Sequence, residues 1–312
     1  MELLRSKFLT GTNLYVSELC LGGGPFGWTC EETEARKILD EFVSLGGNFI
    51  DTADMYAEGI SEEIIGRWLH GFGRREQMFI ATKVGDKSNR KGLSRENIIK
   101  SCDESLRRLG TDYIDIYFCH QDDISVSVIE ILECMLELRQ SGKIRFAGAS
   151  NFSAERLLEA QAEGLRIDAM GFAVLQENYS LAYRSKYENG LKTFVERCGI
   201  SNTPYFSLAK GFLSGNYRMD TPNEKYRAAH GGVGVLEYKN QIFVDLVYEC
   251  ERIAKRHSSS ISSVALAWLR AQPTIIAPIT SARTLWQLRE IAMVVHLSEE
   301  ELFALTSLSA NL

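Results

Sequence analysis

Six polar residues, Asp51, Lys83, His120, Ser150, Asn151 and Gln176, each stand directly after an apolar run. A tyrosine, Tyr56, follows Asp51 by five positions in Asp51-Thr52-Ala53-Asp54-Met55-Tyr56. Brought together, these types suit one chemistry: handing a proton to an oxygen on which charge develops, as when hydride from a nicotinamide reduces a carbonyl. Tyrosine is a weak acid, with an ordinary pKa of about 10. A lysine ammonium beside it favours phenolate and lowers that value, at about 1.4 kcal/mol per pH unit. A lysine withdrawn from water needs a carboxylate to offset its desolvation. A histidine can donate to the reacting oxygen and orient the carbonyl. Each residue also has a plainer reading. Asp51 could cap a turn, Lys83 could mark a strand end at solvent, and His120 could be a packed core histidine. Their shared place at the ends of successive runs favours the site.

For these side chains to meet, the apolar runs must be strands of one sheet. The runs cover residues 19–21, 48–50, 78–82, 113–119, 144–149, 169–175, 204–208 and 274–279. Helical patterns lie between them. One covers residues 31–45 and stops at Gly46-Gly47, a helix-ending signal. Ser94 opens another that ends at Gly110, with Ile98, Cys102, Leu106 and Leu109 on one inward face. Ser153 opens a third, and residues 240–271 hold two helices broken near 258–260. Strand followed by helix, repeated eight times, predicts an α/β fold: a (β/α)8 TIM barrel spanning residues 1–312 as one domain. In such a barrel, residues just after the strands converge on the C-terminal face, where the βα loops build the site. A doubly wound open sheet is the alternative. It is disfavoured because no Gly-x-Gly-x-x-Gly follows the first run and no linker divides the chain. Residues 7–17 read as an N-terminal β-hairpin turning near Gly11-Thr12-Asn13, a plug for the bottom of the barrel.

Composition agrees with a globular chain of 312 residues, 45% hydrophobic and 24% charged. A net charge of −6 argues against nucleic-acid or anionic-membrane partners, which need a basic face. Seven cysteines without a CxxC pair argue against a disulfide framework or zinc site and for reduced thiols in the cytoplasm. The start lacks the apolar core of a signal peptide, and no stretch approaches a membrane span.

The ordered motifs closely resemble the aldo-keto reductase signature over residues 19–292. They begin with the Asp51 to Tyr56 segment, then Ser61-Glu62-Glu63 and Gly66, Lys83 after Ile-Ala-Thr, and His120 after Tyr-Phe-Cys. Gly148-Ala149-Ser150-Asn151-Phe152, Gln176-Glu177-Asn178-Tyr179-Ser180 and the stretch 205–215 complete the set. The resemblance implies a catalytic tetrad of Asp51, Tyr56, Lys83 and His120. It implies that Ser150, Asn151 and Gln176 bind the nicotinamide carboxamide, and that Tyr205 stacks on the ring. It assigns the pyrophosphate and adenosine end to the segments carrying Ser207, Leu208, Lys210, Gly211 and Leu213, and Ser281, Arg283, Gln287 and Glu290. Two departures stand out: Pro278-Ile279-Thr280-Ser281-Ala282-Arg283 replaces the commoner Pro-Gly-Ala-Arg, and Ile291 stands where many members have Asn.

The expected activity is reduction of an aldehyde or ketone, or the reverse oxidation, with NADP(H) and a small-molecule carbonyl substrate. Arg283 near a helix start, with Ser281, points to NADPH over NADH, because a guanidinium fork suits the extra 2′-phosphate. The alternative from another class is a cofactor-binding regulatory subunit like the channel-associated barrels of this family, turning over slowly. The chain shows no long N-terminal extension, which counts against a channel-blocking role. A barrel that keeps nicotinamide only as a structural element is a third reading, disfavoured by the intact tetrad.

Residues 219–237 form a long unassigned loop that includes His230, a candidate substrate contact. Trp28 is read as either a pocket wall or a core aromatic. Cys119 is expected to pack outward as a buried thiol. His70 ends a helix, where a partly charged imidazole suits the dipole, and His257 and His296 read as surface or packing residues. His120 with Asp122 and Asp123 lacks a metal-ligand spacing, so no metal is expected.

Overall fold

The structure, a computed structural model, describes residues 2–167, 171–217, 220–227, 234–310 and 312. Among these, eight short strands run parallel in one sheet: β1 (Cys20–Gly22), β2 (Phe49–Asp51), β3 (Phe79–Val84), β4 (Ile114–Cys119), β5 (Ile144–Ser150), β6 (Val174–Gln176), β7 (Ser201–Asn202) and β8 (Ile279–Thr280). Their order is β7-β6-β5-β4-β3-β2-β1-β8, so each strand pairs with its neighbours in the chain. The seam between β7 and β8 closes through an Asn202–Ile275 bridge. There the Ile279 N–H also donates to the Pro204 carbonyl at 2.8 Å. The result is the (β/α)8 barrel that the alternation of runs predicted.

Side chains alternate across a strand, and the barrel turns that alternation into an inside and an outside. Phe49, Ala81, Ile116, Phe118, Val174 and Ile279 point inward and form the inner cluster. Ile50, Ile80, Tyr117, Cys119, Ala149 and Leu175 point outward, into the larger cluster under the helices. Cys119 is therefore the buried outward thiol expected. Register brings Phe118 level with Gly148 on β5. A Cβ on Gly148 would stand 2.4 Å from the Phe118 ring, so only glycine leaves room for that ring inside the barrel.

The outer layer comprises α1 (Glu32–Ser44), α2 (Ile60–Phe72), α3 (Arg95–Leu109), α4 (Val128–Gln140), α5 (Ala154–Arg166), α6 (Lys192–Cys198), α7 (Gln241–Arg256), α8 (Ile261–Arg270), α9 (Leu285–Ala292) and α10 (Glu299–Leu308). Their apolar stripes face the strands; α1 buries Ala35, Ile38, Leu39 and Phe42 at three- and four-residue spacing. Ser94 and Ser153 cap α3 and α5 by accepting the N–H groups of Asn97 and Arg156. Gly110 ends α3 in the left-handed conformation. The hairpin Ser6–Leu9 with Leu14–Ser17 pairs antiparallel. It buries Leu9, Leu14 and Val16 in the inner cluster, so it plugs the barrel from below.

Three boundaries differ from the sequence reading. The seventh strand is Ser201–Asn202, not residues 204–208. Pro204 has no N–H for the ladder, and Phe206 adopts φ 51°, which turns the chain out of the sheet. The sixth strand is Val174–Gln176; the start of the expected run, at residue 169, lies outside the described residues. The eighth is confined to Ile279–Thr280, although Thr274 and Ile276 also bond to the backbone of Asn202.

Candidate active site

The inward face of the strand ends carries Asp51 (β2), Lys83 (β3), Ser150 (β5) and Gln176 (β6), and His120 follows β4. All but His120 are buried. Tyr56 reaches the same mouth on a tight turn, Tyr56–Gly59, in which Ala57 (φ 47°) and Glu58 (φ 56°) are left-handed. Such backbone costs on the order of 1–3 kcal/mol per residue and persists where packing enforces it.

Lys83 is the hub. Its Nζ donates to Asp51 Oδ2 at 2.5 Å, to the Thr52 carbonyl at 2.6 Å and to the Tyr56 hydroxyl at 3.5 Å. Three acceptors match its three N–H bonds. Burial alone would push the ammonium pKa down, but Asp51 and then Tyr56 reverse this and raise it, so Lys83 is a fixed cation. The Tyr56 phenol is pushed up by burial, and Lys83 offsets that only in part. The expected lowering by lysine is present, but burial outweighs it. The second Asp51 oxygen accepts from Gln176 Nε2 at 2.9 Å.

His120 meets Tyr56 edge-on, ring centroids 6.1 Å apart at 84°. Burial and then the Lys83 charge push its pKa down to about 3, so the imidazole is neutral at physiological pH. Its Nδ1 is buried and has no hydrogen-bond partner among the described residues. Asn151, with φ 59°, ties three groups together. Its Nδ2 donates to the His120 carbonyl at 2.9 Å and to Ser150 Oγ at 3.0 Å, and its Oδ1 accepts from the Tyr205 hydroxyl at 2.7 Å.

The remaining candidates form two further groups. Ser207 donates to the Pro204 carbonyl at 2.9 Å, and Leu208 accepts from the N–H groups of Gly211 and Leu213. The backbone is left-handed at Phe206, Ala209, Lys210 and Gly211, and the Ala209 N–H donates to the Phe206 carbonyl at 2.6 Å. Lys210 pairs with Glu237 at 3.1 Å. After β8, Ser281 Oγ packs on Gly22, where a Cβ would stand 2.6 Å from it. Arg283 is exposed, at the start of α9. Gln287 Oε1 accepts the Arg283 N–H at 2.8 Å, and its own N–H donates to the capping Thr284. Burial pushes the Glu290 carboxyl up, and the Ser260 hydroxyl offsets this in part. Ile291 is buried in the core, so it offers a ligand nothing.

Other candidates resolve differently. Trp28 is 58% exposed and is no core aromatic. Asp122 is held by Arg156 at 3.0 Å. Among the described residues no three His, Cys, Asp or Glu side chains cluster as a metal site. His230 lies outside the described residues. Two buried carboxyls escaped the sequence reading. Asp54 has no hydrogen-bond partner on either oxygen among the described residues, and Glu177 lacks one on Oε1. Their signal was a charged residue at a strand end, on the face opposite or next to the inward one.

Comparison with known proteins places this site in context. A sequence profile of the aldo/keto reductase family matches residues 18–310. A Bacillus subtilis protein named as an uncharacterized oxidoreductase, YrpG, is 34% identical over 306 residues, covering 93% of this chain and 91% of its own. A rice protein named as a probable voltage-gated potassium channel subunit beta is 32% identical, covering 89% and 87%. A Schizosaccharomyces pombe protein named aldo-keto reductase yakc [NADP(+)] is 31% identical, covering 87% and 80%. The chain belongs to the aldo/keto reductase family, a family of oxidoreductases.

Proposed function

We propose that this protein reduces aldehydes or ketones with NADPH, the reverse oxidation being open to it. The observation that carries the reading is the Lys83 ammonium, buried at the barrel mouth between the Asp51 carboxylate (2.5 Å) and the Tyr56 hydroxyl (3.5 Å). A nicotinamide dinucleotide is compatible with the site, where His120 Nδ1 is buried with no hydrogen-bond partner among the described residues and the Asn151 amide is held against the His120 carbonyl and the Tyr205 hydroxyl. Ser150, Asn151 and Gln176 would hold the carboxamide and Tyr205 the ring. Ser207, Leu208, Lys210, Gly211 and Leu213 would hold the pyrophosphate, and Ser281, Arg283, Gln287 and Glu290 the adenosine end. When bound, the reduced nicotinamide supplies the hydride.

The chain's own residues do the rest. Because its pKa is raised, Tyr56 rests as a neutral phenol with a proton to give. As the carbonyl carbon gains hydride, its oxygen takes that proton, leaving alcohol and a phenolate. Lys83 stabilises the phenolate in surroundings of low dielectric, and Asp51 keeps Lys83 charged and in place. Neutral His120 donates to the same oxygen and orients it.

The test is oxidation of NADPH and NADH with a panel of aldehydes and ketones. Substrate-dependent turnover with NADPH is expected, and none with any carbonyl sinks the proposal. Turnover barely above background, with tight cofactor binding, would support a second reading, a cofactor-loaded channel regulator. That reading is favoured by the rice relative's name.

A further inference from the structure

Glu177 follows Gln176 on β6, so alternation turns its side chain away from the barrel interior. It is nonetheless fully buried. Oε2 receives Lys186 Nζ at 3.3 Å. Lys186 itself is half exposed, with 51% of its side chain accessible. Burial raises the carboxyl's pKa, and Lys186 and the backbone N–H groups of Asn151 and Asn178 offset this only in part. The backbone of Glu177 is tied in as well. Its N–H donates to Asn202 Oδ1 at 3.2 Å, and its carbonyl accepts the Tyr205 N–H at 3.1 Å. The residue thus sits behind Asn151 and Tyr205. After burial, the Glu177 charge is the next influence that pushes the Tyr205 phenol up.

We infer that Glu177 is a buried anion that biases the cofactor site toward oxidised, positively charged nicotinamide. The inference rests on the proposed nicotinamide reading of Asn151 and Tyr205. Reduced nicotinamide is neutral and the oxidised ring carries one positive charge. A fixed anion behind the ring site therefore acts on one form and hardly on the other. The partner cation does not cancel this. Lys186 lies on the solvent side, where water screens it, whereas the carboxylate is enclosed by protein of lower dielectric. A ring whose cationic product is stabilised gives up hydride more readily, so Glu177 favours carbonyl reduction over alcohol oxidation. A purely structural role, holding the left-handed Asn151 turn, would instead alter both cofactor forms alike.

The experiment titrates purified wild type, Glu177→Gln and Lys186→Gln with NADP+ and with NADPH, following protein fluorescence at pH 8. Glu177→Gln keeps the shape and removes the charge. It should raise the ratio Kd(NADP+)/Kd(NADPH) three- to tenfold, most of the change lying in NADP+. Lys186→Gln, at a half-exposed position, should move the ratio two- to fivefold the other way. Ratios within twofold of wild type in both variants overturn the inference, whether the affinities stay put or fall together. Wild type that binds neither form overturns the cofactor reading and this inference with it.

Discussion

The acid role proposed for Tyr56 depends on its neighbours, since no phenol is a useful acid near neutrality by itself. Among the described residues, Lys83, at 3.5 Å, is the cation hydrogen-bonded to its hydroxyl. Tyr56→Phe removes the hydroxyl and keeps the ring. Turnover is expected to fall by about 100- to 10,000-fold, the range of general acid catalysis, with cofactor affinity nearly unchanged. Near wild-type turnover on a good substrate would refute the assignment. Asp54, two residues earlier, makes a separate and checkable demand. Burial, with the nearby Glu62 carboxylate, raises its pKa to about 7; Arg108, Lys87 and Arg90 oppose this. The folded chain therefore holds a proton that the unfolded chain releases near pH 4. The contribution of Asp54 to stability should decline by about 1.4 kcal/mol per pH unit between about pH 4 and 7, then level off. Asp54→Asn abolishes that slope. The gap in Tm between variant and wild type should open across this window and stay constant above it. A gap independent of pH would show that Asp54 is already ionised.

Between elements, close approach decides what single residues cannot. Gly66 on α2 faces α3 so tightly that a Cβ would stand 2.3 Å from the Arg108 carbonyl oxygen. Alanine improves helix propensity by about 1 kcal/mol over glycine, but a clash with backbone cannot be relieved by rotating a side chain. Overpacking costs about 1–3 kcal/mol, so Gly66→Ala should lower Tm. A raised Tm would show that the two helices have slack. The proposed cofactor preference is assigned to the start of α9. Arg283 is exposed there, and its backbone N–H is capped by Gln287. Arg283→Ala should weaken NADPH binding roughly tenfold or more, as expected for a charged hydrogen bond, and leave NADH nearly unaffected. Equal losses for both cofactors, measured by titration, would reject a 2′-phosphate contact.

Across the whole molecule, the hairpin closes one end of the barrel and the βα loops build the other. Leu14 is 1% exposed and belongs to the inner cluster with Phe49, Phe118 and Val174. Leu14→Ala should cost about 2–5 kcal/mol in denaturant unfolding. Well below the melting temperature, kcat should stay near wild type, because the plug and the catalytic mouth sit at opposite ends of the strands. A stable variant would mean that the hairpin rests on the barrel without filling it. A stable fold with lost activity would mean that strain passes through the inner cluster to Lys83.

The strands, the helices and the end of the barrel at which the candidate residues gather were legible in the sequence because the signals are local. Period-two burial in a strand turns Asp51, Lys83 and Gln176 inward once the runs are recognised, and Ser94 and Ser153 announce their helices within four residues. Boundaries were less legible at residues 204–208, where apolar content outvoted the missing proline N–H. What only the tertiary structure decided is contact between distant positions. Gln176 reaches Asp51 across 125 residues, and Lys83 finds Asp51 across 32. Burial likewise settles the balance at Tyr56, where desolvation outweighs the lysine beside it. It also leaves Asp54 and Glu177 as enclosed carboxyls. Distance and dielectric are properties of the closed barrel, and no local window of residues contains either.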